Sequence, residues 1–121
     1  MESPEIAQIC ARLAEDKKAT GILILQVGEL TSVADFFVLA TAKNRRQMKA
    51  IADGLRVELK SRGVSDLRTE GRGTDRWVLL DFGSVVVHLF DAATRSYYDL
   101  ESLWADAPRV ALADAPARRA P

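Results

Sequence analysis

The sequence has 121 residues, of which 48% are hydrophobic and 28% are charged. This length predicts one compact domain, and the composition excludes a chain without a hydrophobic core. Lys plus Arg and Asp plus Glu number 17 each, so the formal net charge is zero, which disfavours a protein that binds nucleic acid over its whole surface.

The N-terminal segment predicts a helix. Ser3 suits a helix cap and Pro4 suits the first helical turn. Four apolar residues then recur at the spacing of one helix face: Ile6, Ile9, Cys10 and Leu13. Because Cys10 lies within this apolar stripe, we interpret it as a small buried hydrophobic residue rather than a reactive thiol.

Two strands and a second helix follow. Residues 22–27 are apolar on both faces, and residues 35–41 are rich in aromatic and β-branched side chains. Asn44 is a favourable N-cap with Gln47 three residues further on, and Gly63 is a favourable C-terminal stop. The predicted buried stripe of this helix contains Met48, Ile51, Ala52, Leu55 and Leu59.

A short strand over residues 67–70 and a β-hairpin come next. Residues 77–82 and 85–90 flank Gly83-Ser84, a favoured pair for a two-residue type II′ turn. Residues 92–96 and 99–104 predict short helical turns. Residues 107–121, with six Ala and three Pro, predict a disordered tail, which leaves residues 1–106 as the single domain.

The hairpin has two predicted faces of different chemistry. A two-residue turn pairs Trp77 with Phe90, and side chains alternate between faces along each strand. One face is wholly apolar and should pack under the helices: Val78, Leu80, Phe82, Val85, Val87 and Leu89. The opposite face mixes aromatic, aliphatic and polar residues: Trp77, Leu79, Asp81, Val86, His88 and Phe90.

This mixed face predicts a contact surface for a protein partner. Two long helices cover about one face of a five-stranded sheet, so we expect the second face to be partly open, with Trp77 and Phe90 as apolar anchors. Asp81 would accept a hydrogen bond from a partner cation, and His88 would lie at the rim. The alternative is that the C-terminal segment folds over this face through Tyr97, Tyr98, Leu100, Leu103 and Trp104.

Four cations lie at the start of the second helix: Lys43, Arg45, Arg46 and Lys49. The helix dipole disfavours positive charge at this end, and such local conflicts are enriched at functional sites. Two interpretations remain open. The cluster is either a solvated helix start or a contact for phosphate or for an acidic partner.

The sequence offers little for catalysis or metal binding. One cysteine, Cys10, and one histidine, His88, cannot form a disulfide or a common zinc site. Spacing places no serine beside His88 and Asp81 to complete a triad. We therefore expect no cofactor, no metal and no small-molecule substrate. The apolar runs fall far short of the ~18 residues that span a bilayer, so we also expect no membrane contact and a cytoplasmic location.

Several stretches together resemble the ribosomal silencing factor family, also called Iojap-like. They are residues 15–19, 32–38, 46–52, 70–71, 77–90 and 98–106, in order and without large gaps. Phe36 stands where the family often has Tyr, which keeps the ring and loses a hydroxyl. The resemblance implies an α/β fold of nucleotidyltransferase type, here a mixed five-stranded sheet with helices mainly on one face. It also implies that the catalysis of that fold is absent. The residues themselves agree, because Asp35 is followed two positions later by Phe37 and not by the second acid that a magnesium site needs.

The resemblance also implies a function and a partner. Family members bind ribosomal protein fourteen of the large subunit and block joining of the small subunit, which represses translation when nutrients are scarce. The predicted partner-binding residues are Trp77, Leu79, Asp81, His88, Phe90, Tyr98, Asp99 and Leu103. An open sheet face also makes a homodimer of the free protein plausible. The alternatives are a diverged nucleotidyltransferase-fold enzyme and a general adaptor that binds ribosomal RNA.

Overall fold

A computed structural model of the chain describes residues 1–71, 73 and 76–113. These residues form four helices and six strands. In chain order they are α1 Ser3–Asp16, β1 Thr20–Gln26, β2 Phe36–Thr41, α2 Arg45–Ser61, β3 Arg68–Glu70, β4 Trp77–Asp81, β5 Val85–Phe90, α3 Ala92–Tyr98, α4 Leu100–Leu103 and β6 Arg109–Val110. The predicted α/β order of the chain up to the hairpin is confirmed.

The strands form one mixed sheet in the order β3-β4-β5-β2-β1-β6. β2 and β5 are parallel, and every other neighbouring pair is antiparallel. In the β4–β5 hairpin Trp77 pairs with Phe90 and Asp81 pairs with Val86, which is the predicted register. Gly83 has φ +90, as the first central residue of a type II′ turn requires.

The prediction of five strands is wrong, because a sixth strand forms within the segment predicted as a disordered tail. Val110 pairs with Ile24 of β1, and the Gln26 amide donates to the Pro108 carbonyl at 2.8 Å. On α1, the Gln8 side chain donates to the Ala111 carbonyl at 2.9 Å. The edge of β1 thus offers backbone hydrogen-bond partners to the Ala- and Pro-rich segment. The composition of that segment alone does not predict this pairing. Residues 114–121 lie outside the described residues.

The first face of the sheet carries the larger core. α1 and α2 pack on it with their predicted apolar stripes, and the six hairpin residues predicted to face the helices are all buried there. Cys10 is fully buried in this core, and burial raises the pKa of its thiol to about 12. Its interpretation as a buried hydrophobic residue is confirmed.

The predicted cap of α2 forms. Asn44 Oδ1 accepts a hydrogen bond from the Gln47 amide at 2.8 Å, and Gln47 Oε1 accepts one from the Lys43 amide at 2.7 Å. Within the helix, a Cβ at Gly54 would lie 3.2 Å from Leu13 Cδ2. Glycine therefore lets α2 approach α1 closely at this point.

The two long helices pack on the first face of the sheet, as expected, whereas the second face also has a smaller core. The residues buried there are Leu25, Val27, Ala34, Phe37, Leu39, Val86, Phe90 and Ala107. Leu100 and Trp104, from α4 and the turn after it, pack against this cluster. The C-terminal segment thus covers much of the face, as one of the two alternatives proposed. Among the described residues, no helix is long and apolar enough to cross a membrane.

Candidate functional site

The mixed face of the hairpin, which carries Trp77, His88 and Phe90, lies against the segment that follows β5. Because of this contact, two of the predicted site residues cannot have their predicted roles. Phe90 is 0% exposed and His88 is 6% exposed. The prediction that Phe90 is an exposed anchor is therefore wrong, and so is the prediction that His88 lies at the rim. The reason is that the chain after β5 turns back over its own sheet, so the centre of the face becomes a core and only its margin stays open.

Trp77 lies at that margin. It is partly exposed, and its indole ring packs on Phe90 with ring centroids 5.0 Å apart and on Tyr98 at 4.9 Å. Tyr97 contacts Tyr98 edge-on at 4.9 Å. The buried Phe90 thus forms a floor on which the partly exposed Trp77 rests.

Exposed and partly exposed apolar side chains surround this tryptophan. Tyr97 is 81% exposed and Tyr98 is 53% exposed, both at the end of α3. Leu79 is partly exposed next to Trp77 on the same face of β4. We call these four residues, Trp77, Leu79, Tyr97 and Tyr98, the Trp77 surface. Leu103 on α4 is also exposed, at 72%.

Two depressions meet at Trp77. One is lined by Arg68, Glu70, Trp77 and Leu79 along the outer strands of the sheet. The other runs towards α3, where the lining includes Arg76, Asp91, Tyr97 and Tyr98. Trp77 therefore lines both concave regions, and each of them has charged residues at its margin, which suits contact with a protein partner.

His88 is connected to Trp77 by a hydrogen bond. The indole Nε1 of Trp77 donates to Nδ1 of His88 at 3.2 Å. Burial lowers the pKa of His88 to about 4, so the ring is neutral at pH 7 and Nδ1 is able to accept. Its Nε2 is buried and has no hydrogen-bond partner in the described part of the chain.

The two predicted carboxylates have structural contacts. Asp81 Oδ1 accepts a hydrogen bond from the Gly83 amide at 2.8 Å, which holds the hairpin turn, and the side chain is partly exposed. Asp99 joins α3 to α4 with φ 48, and its Oδ2 accepts from Ser102 Oγ at 2.6 Å. Asp99 is exposed, and Asp81 remains accessible from solvent at the margin of the mixed face.

The cationic cluster lies elsewhere. Lys43, Arg45, Arg46 and Lys49 are all exposed at the start of α2, which packs on the first face of the sheet. Lys49 pairs with Asp53 at 2.6 Å, whereas Arg45 and Arg46 make no hydrogen bond or ion pair with the described residues. The structure therefore does not bring this cluster together with the Trp77 surface, and the two form separate candidate sites.

Sequence reasoning missed Arg95, which ties α3 to the sheet. Its Nη1 donates to the Gly21 carbonyl at 2.6 Å and to Thr41 Oγ1 at 2.9 Å. Its Nη2 pairs with Glu101 at 3.2 Å. Because these partners lie on β1, β2 and α4, Arg95 fixes the element that carries Tyr97 and Tyr98. In the described residues there is no group of three or more His, Cys, Asp or Glu side chains that could hold a metal ion.

This architecture defines an α/β protein whose mixed sheet is covered by two long helices on one face and presents an aromatic surface at the margin of the other. A family model described as "Ribosomal silencing factor during starvation" matches residues 1–121. The chain belongs to this family, RsfS, as its sequence resemblance indicated.

Relatives and solved structures agree with the assignment. The chain is 39% identical to a ribosomal silencing factor of Halalkalibacterium halodurans over 93% of its own length and 96% of the relative. It is 41% identical to one of Chromobacterium violaceum, over 86% and 85% of the two chains. A crystal structure of a Chromobacterium violaceum protein superposes with a TM-score of 0.84 at 38% identity, covering 98% of each chain. The nucleotidyltransferase likeness remains a prediction.

The family extends beyond bacteria. The chain is 36% identical to the chloroplast protein Iojap of Arabidopsis thaliana, over 92% of this chain and 46% of that one. It is 34% identical to "Mitochondrial assembly of ribosomal large subunit protein 1" of mouse, over 76% and 42% of the two chains. The name of the mouse relative describes assembly of the large ribosomal subunit, and the bacterial relatives are named as ribosomal silencing factors, a role in translation regulation.

Proposed function

We propose that the protein binds ribosomal protein fourteen of the large ribosomal subunit and, by its bulk, blocks association with the small subunit. It acts in the cytoplasm, where it represses translation when nutrients are limiting. The mechanism is steric occlusion and requires no chemical reaction. A folded domain is much larger than the few ångströms of separation that already abolish contact between two facing surfaces, so a bound copy at the subunit interface is sufficient.

The observation that carries the proposal is the Trp77 surface. Trp77 contacts Tyr98, which in turn contacts Tyr97; both tyrosines are exposed and Trp77 is partly exposed. Exposed aromatic clusters with polar margins mark protein interfaces, and tryptophan and tyrosine supply most of the binding energy there. The family relation supports the ribosome as partner, and the name of the mouse relative supports the large subunit in particular.

The charge at the margin favours a basic partner. Asp81 and Asp99 are accessible near the Trp77 surface, and Glu70 lines one of its two depressions. Cations on the partner would gain from these carboxylates and from the exposed aromatic faces. Ribosomal proteins bind RNA and therefore carry such cations. Asp81 and Asp99 are thus proposed as contacts for partner cations, and Leu103 as an apolar contact at the rim.

A direct binding measurement tests the proposal. Purified ribosomal protein fourteen is titrated into the protein and into the variant Trp77→Ala, with Val57→Ala as the control. Val57 is also an exposed apolar residue, but it lies on α2, across the sheet from Trp77. We expect Trp77→Ala to weaken binding at least about 30-fold, the effect of a central anchor worth about 2 kcal/mol. Val57→Ala should bind as the unchanged protein does.

Three other outcomes would redirect the proposal. No binding to isolated ribosomal protein fourteen would contradict the assigned partner. Binding to free ribosomal RNA with a steep salt dependence would favour the general adaptor. Release of pyrophosphate from a nucleotide in the presence of magnesium would favour the enzyme. The molar mass of the free protein is measured in the same samples, because self-association through the Trp77 surface would compete with partner binding.

The cationic cluster supports a second contact, with ribosomal RNA. Arg45 and Arg46 are exposed and unpaired among the described residues, and Lys43 and Lys49 flank them. The cluster lies on the opposite face of the sheet from the Trp77 surface. The protein can therefore contact ribosomal protein through one face and RNA phosphates through the other.

A further inference from the structure

His88 is buried among aromatic rings beneath the Trp77 surface. Phe37 contacts its ring edge-on with centroids 5.1 Å apart, and Phe90 stacks on it with ring planes only 9° apart. β2 and β5 are parallel neighbours in the sheet, so these three aromatic rings are fixed by strand positions and not by loops. The Nδ1 atom of His88 is therefore a fixed acceptor at the base of Trp77.

We propose that His88 is a positioning residue for Trp77: it accepts the indole N–H, sets the orientation of the ring, and leaves Trp77 to contact the partner through its apolar face alone. This inference rests on the proposed docking function. It assigns His88 a role that acts through Trp77, since a side chain that is 6% exposed cannot form a rim contact. The partner therefore does not supply an acceptor for the indole N–H.

The chemistry of tryptophan supports this division of roles. The indole has one polar atom, Nε1, which is a donor only. In a partly exposed ring that docks against a partner, this donor either binds an acceptor within its own chain or needs one across the interface, because an unpaired buried donor costs about 1–3 kcal/mol. His88 meets this need before the partner arrives. The ring is then ordered in the free protein, and less side-chain entropy is lost on binding.

The cost of keeping a histidine at this position supports a functional reason for it. When Nδ1 accepts, the single proton of the neutral ring is on Nε2. Nε2 is buried without a hydrogen-bond partner among the described residues. A leucine would fill similar space at the centre of this apolar cluster without that cost. Polar groups that are retained at a cost to stability are enriched at functional sites, and the polar contact that His88 makes here is with Trp77.

A double-mutant cycle on binding to purified ribosomal protein fourteen tests the proposal. The variants are His88→Leu, Trp77→Phe and the two combined. We expect His88→Leu to weaken binding about 3- to 10-fold when Trp77 is present, the range that one hydrogen bond commonly contributes. With Phe at position 77 there is no indole donor, so His88→Leu should change binding less than about 2-fold. Equal effects of His88→Leu in both backgrounds would overturn the positioning role.

The conservative variant His88→Asn separates positioning from general stability. Its Oδ1 occupies roughly the place of Nδ1 and also accepts hydrogen bonds. We expect it to restore most of the affinity that His88→Leu loses, even though both variants change the volume of the core. If Asn and Leu at this position weaken binding alike, the hydrogen bond is not the cause of the loss.

Exchange of the indole protons gives a readout that does not depend on the partner. In 15N-labelled free protein, Trp77 and Trp104 each give one indole N–H signal, and Trp104 serves as the internal reference. His88→Leu should make the indole proton of Trp77 exchange with solvent several-fold faster. The exchange rate of the Trp104 indole proton should stay the same. If His88→Leu leaves the exchange rate of the Trp77 indole proton unchanged, the inference is overturned. Failure of the unchanged protein to bind ribosomal protein fourteen would instead contradict the proposed function, so the two failures are distinguishable.

Discussion

Trp77 and Phe90 are paired across the hairpin and their rings are in contact with centroids 5.0 Å apart, yet Phe90 is fully buried whereas Trp77 is partly exposed. Two aromatic residues that are cross-strand partners therefore have different structural roles. Phe90 belongs to the core of the second face, and Trp77 belongs to the surface that this core supports.

Substitution of Phe90 should lower the free energy of unfolding, because this residue belongs to the core of the second face. Phe90→Ala leaves a cavity in the second core, and we expect the free energy of unfolding to fall by about 3–5 kcal/mol. Chemical denaturation measures this loss. Tyr97→Ala is the matched control, because it removes an exposed aromatic side chain from the same side of the sheet and should cost less than about 0.5 kcal/mol. Equal losses in the two variants would contradict the assignment of Phe90 to the core.

The stability of the protein should fall in mild acid because of His88. Its folded-state pKa is about 4, below the ordinary value of 6.5, so between these pH values the unfolded chain binds a proton that the folded chain does not. The free energy of unfolding is therefore highest above pH 6.5 and falls as the pH approaches 4, because the folded chain must hold His88 uncharged while the unfolded chain takes up the proton. The fall amounts to about 3 kcal/mol, since one pKa unit corresponds to about 1.4 kcal/mol.

Denaturation of the unchanged protein and of His88→Leu at several pH values between 7 and 4 measures this effect. The slope of stability against pH in this window should become markedly shallower in His88→Leu, because the group that titrates differently in the two states is gone. Parallel slopes would show that other groups cause the acid sensitivity.

Arg95→Met should loosen the element that carries the two tyrosines. The substitution keeps the apolar stem but removes the hydrogen bonds to Gly21 and Thr41 and the ion pair with Glu101. We expect a loss of about 2–4 kcal/mol of unfolding free energy, together with faster amide exchange in α3.

Arg62→Met is the control for this experiment. Arg62 pairs with Glu58 on the exposed surface of α2, and such pairs contribute less than about 1 kcal/mol. If Arg95→Met and Arg62→Met have the same small effect, Arg95 does not hold α3 to the sheet.

Charge reversal at the start of α2 should separate binding from stability. Arg45→Glu and Arg46→Glu, singly and together, place negative charge where the helix dipole favours it, so Tm should stay the same or rise slightly. Binding to large subunits should weaken progressively, and the difference should shrink at high salt. Lys60→Glu makes the same charge change in the last turn of the same helix and should leave binding unchanged. Unaltered binding in the double variant would identify the cluster as a solvated helix start.

The local parts of the fold were predictable from sequence because their signals are local. The Gly83-Ser84 turn fixes the hairpin register, and the Asn44 and Gln47 pair fixes the start of α2. The alternation of apolar residues along the hairpin correctly identified its core face. In each case the residues that determine the structure are within a few positions of one another.

The remainder depended on contacts between distant parts of the chain. β6 has only two residues, in a segment whose composition is typical of disorder, and it forms because the edge of β1 offers backbone partners about 85 positions away. Arg95 reaches Gly21 across 74 positions. The burial of Phe90 and His88 follows from the return of the chain after β5, which the amphipathic pattern of the hairpin alone does not encode.

A subunit-joining assay tests the central claim most directly. Purified large subunits are incubated with the protein, small subunits are added, and sedimentation separates free subunits from joined ribosomes. We predict that the protein sediments with the large subunit and lowers the fraction of joined ribosomes in proportion to its occupancy of that subunit. The variant Trp77→Ala should neither sediment with the large subunit nor prevent joining, whereas Val57→Ala should behave like the unchanged protein. Full joining of subunits at saturating occupancy of the large subunit would contradict the account.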